Sequence, residues 1–415
     1  MCALLGGLTA RAGAQQSRAD SLRQKAIQDS IALMRQLQSA AAVPTQQGPT
    51  GGATGPTNPR LLPDVSAVGD LVGDFSPKGT TQADNTRFSV REVELAFQAV
   101  VDPYLRGDVF LGVSDLEKIS IEQAFLTTTS LPDFDIRIGR YLMPFGKENT
   151  THRHDLHTIE YPWVIQKFLS DDGLKGTGLW LSKVFAPFGF YQELQVTAVD
   201  RLRDASEDLV PFEGVNKSLG GMGYSARLRN YVDINESTNF ELSGSAITGK
   251  VERALLTPAG QPLFVDSVNA TLARQTMLGA DLTFRWRPLQ QGLYKSFILQ
   301  AELMHQINET QPAVGIPSVP LSAVEAGQNY TGGYAFARYQ LGQRLFVGGR
   351  YDQIQDPTAG GRTLTAGSGY LEWFPSEFSK FVAGYERLNP ATGDGVNRIL
   401  FQASFALGPH KPHPF

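Results

Sequence analysis

From about residue 62 onward, apolar and polar residues alternate with a period of two. In REVELAFQAV (91–100), Val93, Leu95, Phe97 and Ala99 share one face, and Glu92, Glu94 and Gln98 share the other. Asp102-Pro103 makes a tight turn, after which Leu105, Val109, Leu111 and Val113 oppose Tyr104, Arg106 and Asp108. The alternation returns in Phe297, Leu299, Ala301 and Leu303 against Gln300 and Glu302. It returns again in Ile399, Phe401, Ala403, Phe405 and Leu407 against Arg398, Gln402 and Ser404. A period of two belongs to strands with one apolar face.

The connections alternate too. Short turns at 102–103, 186–189 and 374–377 exchange with longer polar loops near 143–175, 201–217, 251–273, 308–328 and 389–396. Short turns at one rim and long loops at the other are expected of an antiparallel β-barrel crossing an outer membrane. The segments between 62 and 408 predict about 16 strands, enough for an aqueous lumen. A soluble β-sandwich competes with this reading, but it has no need of aromatics at strand ends. Here Trp180, Phe185, Phe188, Phe190, Trp286, Tyr294, Trp373, Phe374 and Phe378 lie beside the turns, as interfacial girdles do. The fold expected is all-β, a transmembrane antiparallel barrel over 62–415.

Upstream the period changes. Leu22, Ile27, Ile31 and Met34 fall at helical or heptad spacing, which predicts a short amphipathic helix over 15–42. It would serve as an oligomerising coil or a periplasmic contact with the envelope. Residues 43–61 are rich in Gly, Pro and Thr and read as a linker. Residues 1–14 are short and apolar and end in Ala12-Gly13-Ala14, like the end of a secretory signal whose positive start is missing.

Composition agrees with a turn-rich β-protein destined for export. The chain has 42 Gly, 10% aromatic and only 19% charged residues. Its net charge of −4 excludes a broad basic nucleic-acid surface. Cys2 is the one cysteine, so disulfides play no part. No apolar run is long enough for a transmembrane helix, which leaves barrel strands unaffected.

If the apolar parity faces lipid, the other lines the lumen. It carries Arg106, Arg137, Arg227, Arg229, Arg285, Arg287, Arg338, Arg350 and Arg398, all arginine, with Glu92, Glu94, Asp108, Glu193, Glu241, Asp281, Glu302 and Asp352. Planar guanidinium groups hold anionic solutes well. Arginines facing acids across strands also form ladders that fix a wall. Both readings stand at this point.

The stretch FGKENTTHRHDLH (145–157) opens a loop of about 30 residues, a length usually reserved for function. His152, His154 and His157 could hold a metal with Asp155 or Glu160, since imidazole suits Zn²⁺ or Cu²⁺. A solvated or hydrogen-bonded group is the plainer alternative and is preferred, so no metal or other cofactor is expected. As pore-lining groups they would titrate near neutrality and shift selectivity towards anions as the pH falls. Ser170, Ser182 and His305 have no catalytic context, and no phosphate loop or His-Glu-x-x-His is present. No enzyme is expected.

The stretches REVELAFQAVVDPYLRG (91–107), IRIGRYLMPFGKEN (136–149) and EYPWV…DDGLKGTGLWLS (160–182) resemble the phosphate-selective porins O and P and their porin-like relatives. The final strand, with Phe401, Phe405 and Phe415, fits as well, and its aromatics are what barrel-assembly machinery would read. GPHKPHPF stops that strand near Gly408. The resemblance implies 16 strands, a homotrimer in outer-membrane lipid, and a third extracellular loop folded inward as a constriction. Carried over, the constriction is about 144–175, with Lys147, His152, Arg153, His154, His157 and Lys167. The family's phosphate specificity rests on a lysine- and arginine-rich funnel, whereas this lumen parity has few lysines and many acids. The function expected is passive diffusion of small hydrophilic solutes with mild anion preference. The alternatives are a zinc-related barrel using the His loop and a structural or adhesive barrel with a plugged lumen.

Overall fold

The computed structural model describes residues 63–82, 85–114, 119–204, 219–254, 270–309 and 327–408. Within them the strands in chain order are β1 (Asp64–Asp74), β2 (Phe88–Asp102), β3 (Leu105–Val113), β4 (Ser120–Thr128), β5 (Phe134–Leu142), β6 (Lys175–Phe185), β7 (Tyr191–Val199) and β8 (Gly223–Asn235). There follow β9 (Thr238–Ala254), β10 (Ala270–Trp286), β11 (Phe297–Asn308), β12 (Asn329–Gly342), β13 (Leu345–Asp356), β14 (Arg362–Ser376), β15 (Ser379–Asn389) and β16 (Val396–Leu407). Each pairs antiparallel with the next. β1 closes on β16 with Ala67 opposite Leu407 and Asp74 opposite Leu400, so the sheet is a closed 16-strand barrel with no edge to protect. The expected helix over 15–42, the segments 1–14 and 43–61, and His410, His413 and Phe415 lie outside the described residues.

One rim is made of tight connections, four of them two-residue turns at 103–104, 236–237, 343–344 and 377–378. At the opposite rim the strands are joined across longer stretches of sequence, of which 143–174 is described throughout. Along the strands the apolar parity points outward: Leu299, Leu303, Phe401 and Phe405 are exposed, while Gln300, Glu302, Gln402 and Ser404 are buried. A barrel wall one strand thick needs this arrangement, because lipid accepts the apolar face and polar side chains must find partners inside.

Four register shifts lie beside the two-residue turns, and two more break the alternation away from them. The β1–β2 register shifts between Asp70 and Leu71, which leaves Arg91 as an extra residue. The β3–β4 register shifts between Phe110 and Leu111, leaving Glu122 in the same position. Such bulges re-aim side chains. Arg91 reaches Asp70 at 2.5 Å and the Ile159 carbonyl at 2.8 Å, although strict alternation from Val93 would send it to the lipid. Gly139 on β5 has φ +141°, and a Cβ there would run into the Ala124 carbonyl of β4, so only glycine closes this part of the wall.

The aromatic belt differs from the expectation at two places. Phe188, Tyr294, Trp373 and Phe378 are exposed near the turn rim, but Trp180 and Phe374 are buried and face inward. Trp180 lies under the Arg137 guanidinium, and Phe374 packs edge-on against Phe346. Adjacent residues of a strand point to opposite faces, so Trp373 and Phe374 cannot both meet the lipid.

The apolar core lies inside the barrel, between the 143–174 loop and the inner wall. From the loop come Phe145, Leu156, Ile159, Val164, Ile165, Phe168 and Leu169; from the wall come Met277, Met304, Tyr334, Phe336, Ile354, Tyr370, Val382 and Leu400. Val164, Ile165 and Phe168 belong to α1 (Trp163–Phe168), which packs on β12 and β13. Each such side chain contributes about 1.5–3 kcal/mol on burial.

Candidate functional site

The loop leaves β5 through Pro144-Phe145-Gly146. Gly146 takes φ +64°, and a Cβ on it would strike the Glu302 carboxylate. At the base of the loop, Asn149 Nδ2 donates to the Met143 carbonyl at 2.8 Å, and its Oδ1 accepts from Leu174 N–H at 2.6 Å. Two backbone donors, Lys147 N–H and Glu148 N–H, meet the Glu302 carboxylate at 3.1 and 2.7 Å, and Tyr334 donates to it at 2.7 Å. These bonds turn the chain into the lumen rather than out over the rim.

The wall then holds the loop by its carbonyls and amides. Lys380, 1% exposed on β15, donates to the His154 and Leu156 carbonyls at 2.5 and 2.8 Å. Arg350 donates to Thr158 Oγ1 at 2.9 Å and the Glu160 carbonyl at 2.7 Å, and Asp352 accepts from Trp163 N–H at 2.9 Å. Arg203 clasps the Phe168 and Leu169 carbonyls; its burial, and then Arg253, lower its pKa to about 10. Glu160 sits 3.1 Å from Arg398. Burial would raise its pKa, but Arg398, Arg91 and Arg153 hold it down to about 2.

Each sequence-predicted histidine has a different setting. His152 Nδ1 is 2.6 Å from Glu94, and its Nε2 is 2.8 Å from the Gln123 amide. Burial lowers its pKa, yet the hydrogen bond and charge of Glu94 outweigh burial and the net shift is upward. His154 is 3% exposed, its ring 5.5 Å from that of His152, and burial carries its pKa down. His157 stacks on Phe336 at 5.8 Å with Nδ1 3.9 Å from Glu372; burial first, then Arg338, lower its pKa. The three groups expected to titrate alike along a pore are thus set apart: burial moves His154 and His157 down, and Glu94 moves His152 up. Arg153 pairs with Asp172 and lies over Tyr161, and Lys167 is 4.0 Å from Asp356.

The inward arginines fall into two groups. Arg227 with Asp281 (3.0 Å), Arg338 with Glu372 (2.5 Å), Arg350 with Asp352 (2.7 Å) and Arg398 with Glu386 (2.8 Å) are buried pairs. In the second group Arg106 meets Asp108 at 3.0 Å, Arg229 meets Glu193 at 2.8 Å and Glu241 at 3.2 Å, and Arg285 meets Glu241 at 3.4 Å. Lys147 reaches the same Glu241 at 2.6 Å from the loop. In these pairs the cation is the open member: Arg106, Arg229 and Arg285 show 47%, 31% and 32% of their side chains, against 7% for Asp108, 10% for Glu193 and 3% for Glu241. Arg137 lies over Trp180 and Phe125, and Glu92 stands half-buried on β2 beside Glu94.

Arg287 is a correction. It lies past the end of β10, where it donates to the Gly292 carbonyl within the turn, so it is not part of the lumen wall. The inward cations are also not all arginine, since Lys380 is among them. Lys380 shares its parity with Val382 and Glu386, and counting back from Glu386 would have found it. Arg91 gave no such signal, because a bulge sets its direction.

No family model matches the chain. An uncharacterized protein of Aquifex aeolicus is 25% identical over 346 residues, covering 79% of this chain and 70% of that one. Among solved structures, the fold is similar to OprB of Pseudomonas putida (TM-score 0.52, 10% identity, 83% of this chain and 94% of that one). It is likewise similar to the outer membrane channel DcaP of Acinetobacter baumannii (0.52, 12%, 83% and 98%) and to an anion-selective porin from Comamonas acidovorans (0.51, 10%, 83% and 98%). At these identities what the three share with this chain is the barrel.

Proposed function

We propose that this chain is an outer-membrane porin that passes small hydrophilic solutes by diffusion, with a mild preference for anions. The observation that carries the reading is the 143–174 loop, folded inside a closed barrel and fixed to its wall rather than exposed at the rim. A loop so placed narrows the lumen, and the charges beside it bias traffic by field and size. The anion preference rests on the half-exposed Arg106, Arg229 and Arg285, whose acidic partners are buried behind them, together with Lys147. Balanced charge does not mean a balanced surface, because water and solute meet the guanidinium groups first. The outward apolar band suits outer-membrane lipid, and Phe401 and Phe405 suit recognition by the assembly machinery together with Phe415. A homotrimer and an envelope contact through residues 15–42 complete the reading. Phosphate selectivity in the manner of the porins O and P is not part of it, since lysines are few on the inward parity.

Planar-bilayer recording tests this. The reversal potential in a KCl gradient should carry the sign of anion preference, and phosphate should reduce the chloride current. Arg229→Gln with Arg285→Gln should lower the anion-to-cation permeability ratio by a factor of about two. Absence of any conductance sinks the porin reading in favour of a plugged barrel, and a cation-selective reversal potential removes the anion preference alone.

A further inference from the structure

A donor cluster lies where the loop crosses β2. Glu94, His152 and His154 each present one ligand atom, and these atoms lie within 4.8 Å of one another. Glu94 and His154 are 4% and 3% exposed, and His152 keeps about a fifth of its side chain open to the lumen (22%). In a four-coordinate zinc site with bonds of about 2.0–2.1 Å, neighbouring donors stand roughly 3.3 Å apart. His152 Nδ1 and Glu94 stand at 2.6 Å and all three donor atoms within 4.8 Å, so the first pair would open and His154 would close in by side-chain rotation to share one shell.

We propose that Glu94, His152 and His154 form a binding site for a divalent transition-metal ion of the Zn²⁺ class, with an open fourth position for water on the lumen side. Two imidazoles and a carboxylate are the donor set such ions take. The metal takes the place of the proton between His152 Nδ1 and Glu94, and the neutral ring carries its one proton on Nε2 instead, exchanged through solvent. Gln123 Nε2 faces His152 Nε2 while its Oε1 accepts from Leu142 N–H; turning the amide gives up the Leu142 bond and places Oε1 against His152 Nε2–H, the kind of outer hydrogen bond that orients metal-bound imidazoles. The surrounding charge permits an ion. Asp155 and Glu92 stand on the acidic side, while Lys380 is engaged with two carbonyls of the same turn and Arg153 with Asp172. A bound ion would join β2 to the loop and fix the crossing point.

The structure separates this site from the sequence motif. His-x-His-x-x-His suggested three histidines as ligands, but His157 faces Phe336 and Glu372 on the β12–β14 wall and takes no part. Its place is taken by Glu94, 58 residues before His152 in the chain.

The test uses the full chain, folded in detergent micelles and carrying His410→Ala and His413→Ala to silence the tail. Zn²⁺ affinity is read by competition with a chromophoric chelator, and Co²⁺ is read by visible absorption. One ion per chain and the strong bands of four-coordinate Co²⁺ are expected. His154→Gln and Glu94→Gln should each weaken Zn²⁺ binding by about tenfold or more, and His157→Gln should leave it unchanged. Each variant is checked for heat-modifiable mobility, so that loss of binding is not loss of fold. If a ligand variant does not fold, His152→Gln and the Co²⁺ spectrum of the parent decide in its place. Absence of stoichiometric binding, six-coordinate Co²⁺, or loss of binding in His157→Gln equal to that in His154→Gln overturns the site.

Discussion

Replacing Glu160 by Gln isolates one anchor of the inward loop, because the substitution keeps the shape and removes the charge. Glu160 meets Arg398 at 3.1 Å, and Arg398, Arg91 and Arg153 together hold its pKa near 2 against an ordinary 4.5. At about 1.4 kcal/mol per pH unit, that depression corresponds to about 3 kcal/mol of docking energy. The loss on substitution is smaller, because each arginine keeps a second acid: Glu386 for Arg398, Asp70 for Arg91 and Asp172 for Arg153. A loss of about 2 kcal/mol is expected, less than the roughly 3–5 kcal/mol of a buried pair whose partner is left uncompensated. Local opening of residues 158–169 then becomes about 30-fold more frequent, and hydrogen exchange read by mass spectrometry reports it directly. The pH dependence follows from the sign of the shift. A carboxyl whose pKa is depressed in the docked state stabilises docking in full above about 4.5, and that contribution fades as pH falls towards 2. The parent chain should therefore lose protection in this segment between pH 4.5 and 2, after correction for the intrinsic chemical rate, while the Gln variant shows a flatter profile. Equal protection of the two proteins at pH 6, within threefold, would refute the anchoring argument.

Two further substitutions probe the core and the wall. Phe168→Ala empties a fully buried position between α1 and the inner wall and should cost about 3–5 kcal/mol of loop docking. Faster exchange confined to 143–174, with the folded barrel band unchanged on a gel, is the expected result, and an unaltered loop would contradict the core described above. Gly139→Ala forces a side chain into a left-handed position against the Ala124 carbonyl and should sharply reduce the yield of folded barrel in detergent. Gly367→Ala, where the space is open, is the control, and equal yields would show that the β4–β5 contact tolerates a Cβ.

Strand number and facing were legible because membrane barrels write their parity into every second residue. Phe401 and Phe405 outside with Gln402 and Ser404 inside can be read from the letters alone. Parity fails where register shifts, and the two shifts away from the turns place their extra residues on β2 and β4, the strands that meet His152 through Glu94 and Gln123. The path of the loop was not legible, because its bonds join residues far apart in the chain. Lys380 holds His154 and Leu156 across 226 and 224 positions, and Arg398 meets Glu160 across 238. Periodicity carries no information about such pairs. Aromatics beside turns were read as girdle residues, but closeness to a turn fixes depth and leaves facing open, which is why Trp180 and Phe374 differ.

The inward charges make sense as two populations set by solvation. A buried guanidinium needs a carboxylate within hydrogen-bond reach, and once paired its spare N–H groups are well placed to take backbone carbonyls. Arg350 does both: Nε binds Asp352 while Nη1 binds Thr158 and the Glu160 carbonyl. Arg91 does the same with Asp70 and Ile159. These residues are spent on holding the loop and have little field left for a passing ion. Arg106, Arg229 and Arg285 have their acids beneath them and their outer N–H groups towards water, where solute can exchange with solvent. The arginine ladder, open as a reading from the sequence, is what the buried pairs form, and the proposed anion guidance falls to the open Arg106, Arg229 and Arg285. Burial, which the letters do not encode, decides which group each residue joins.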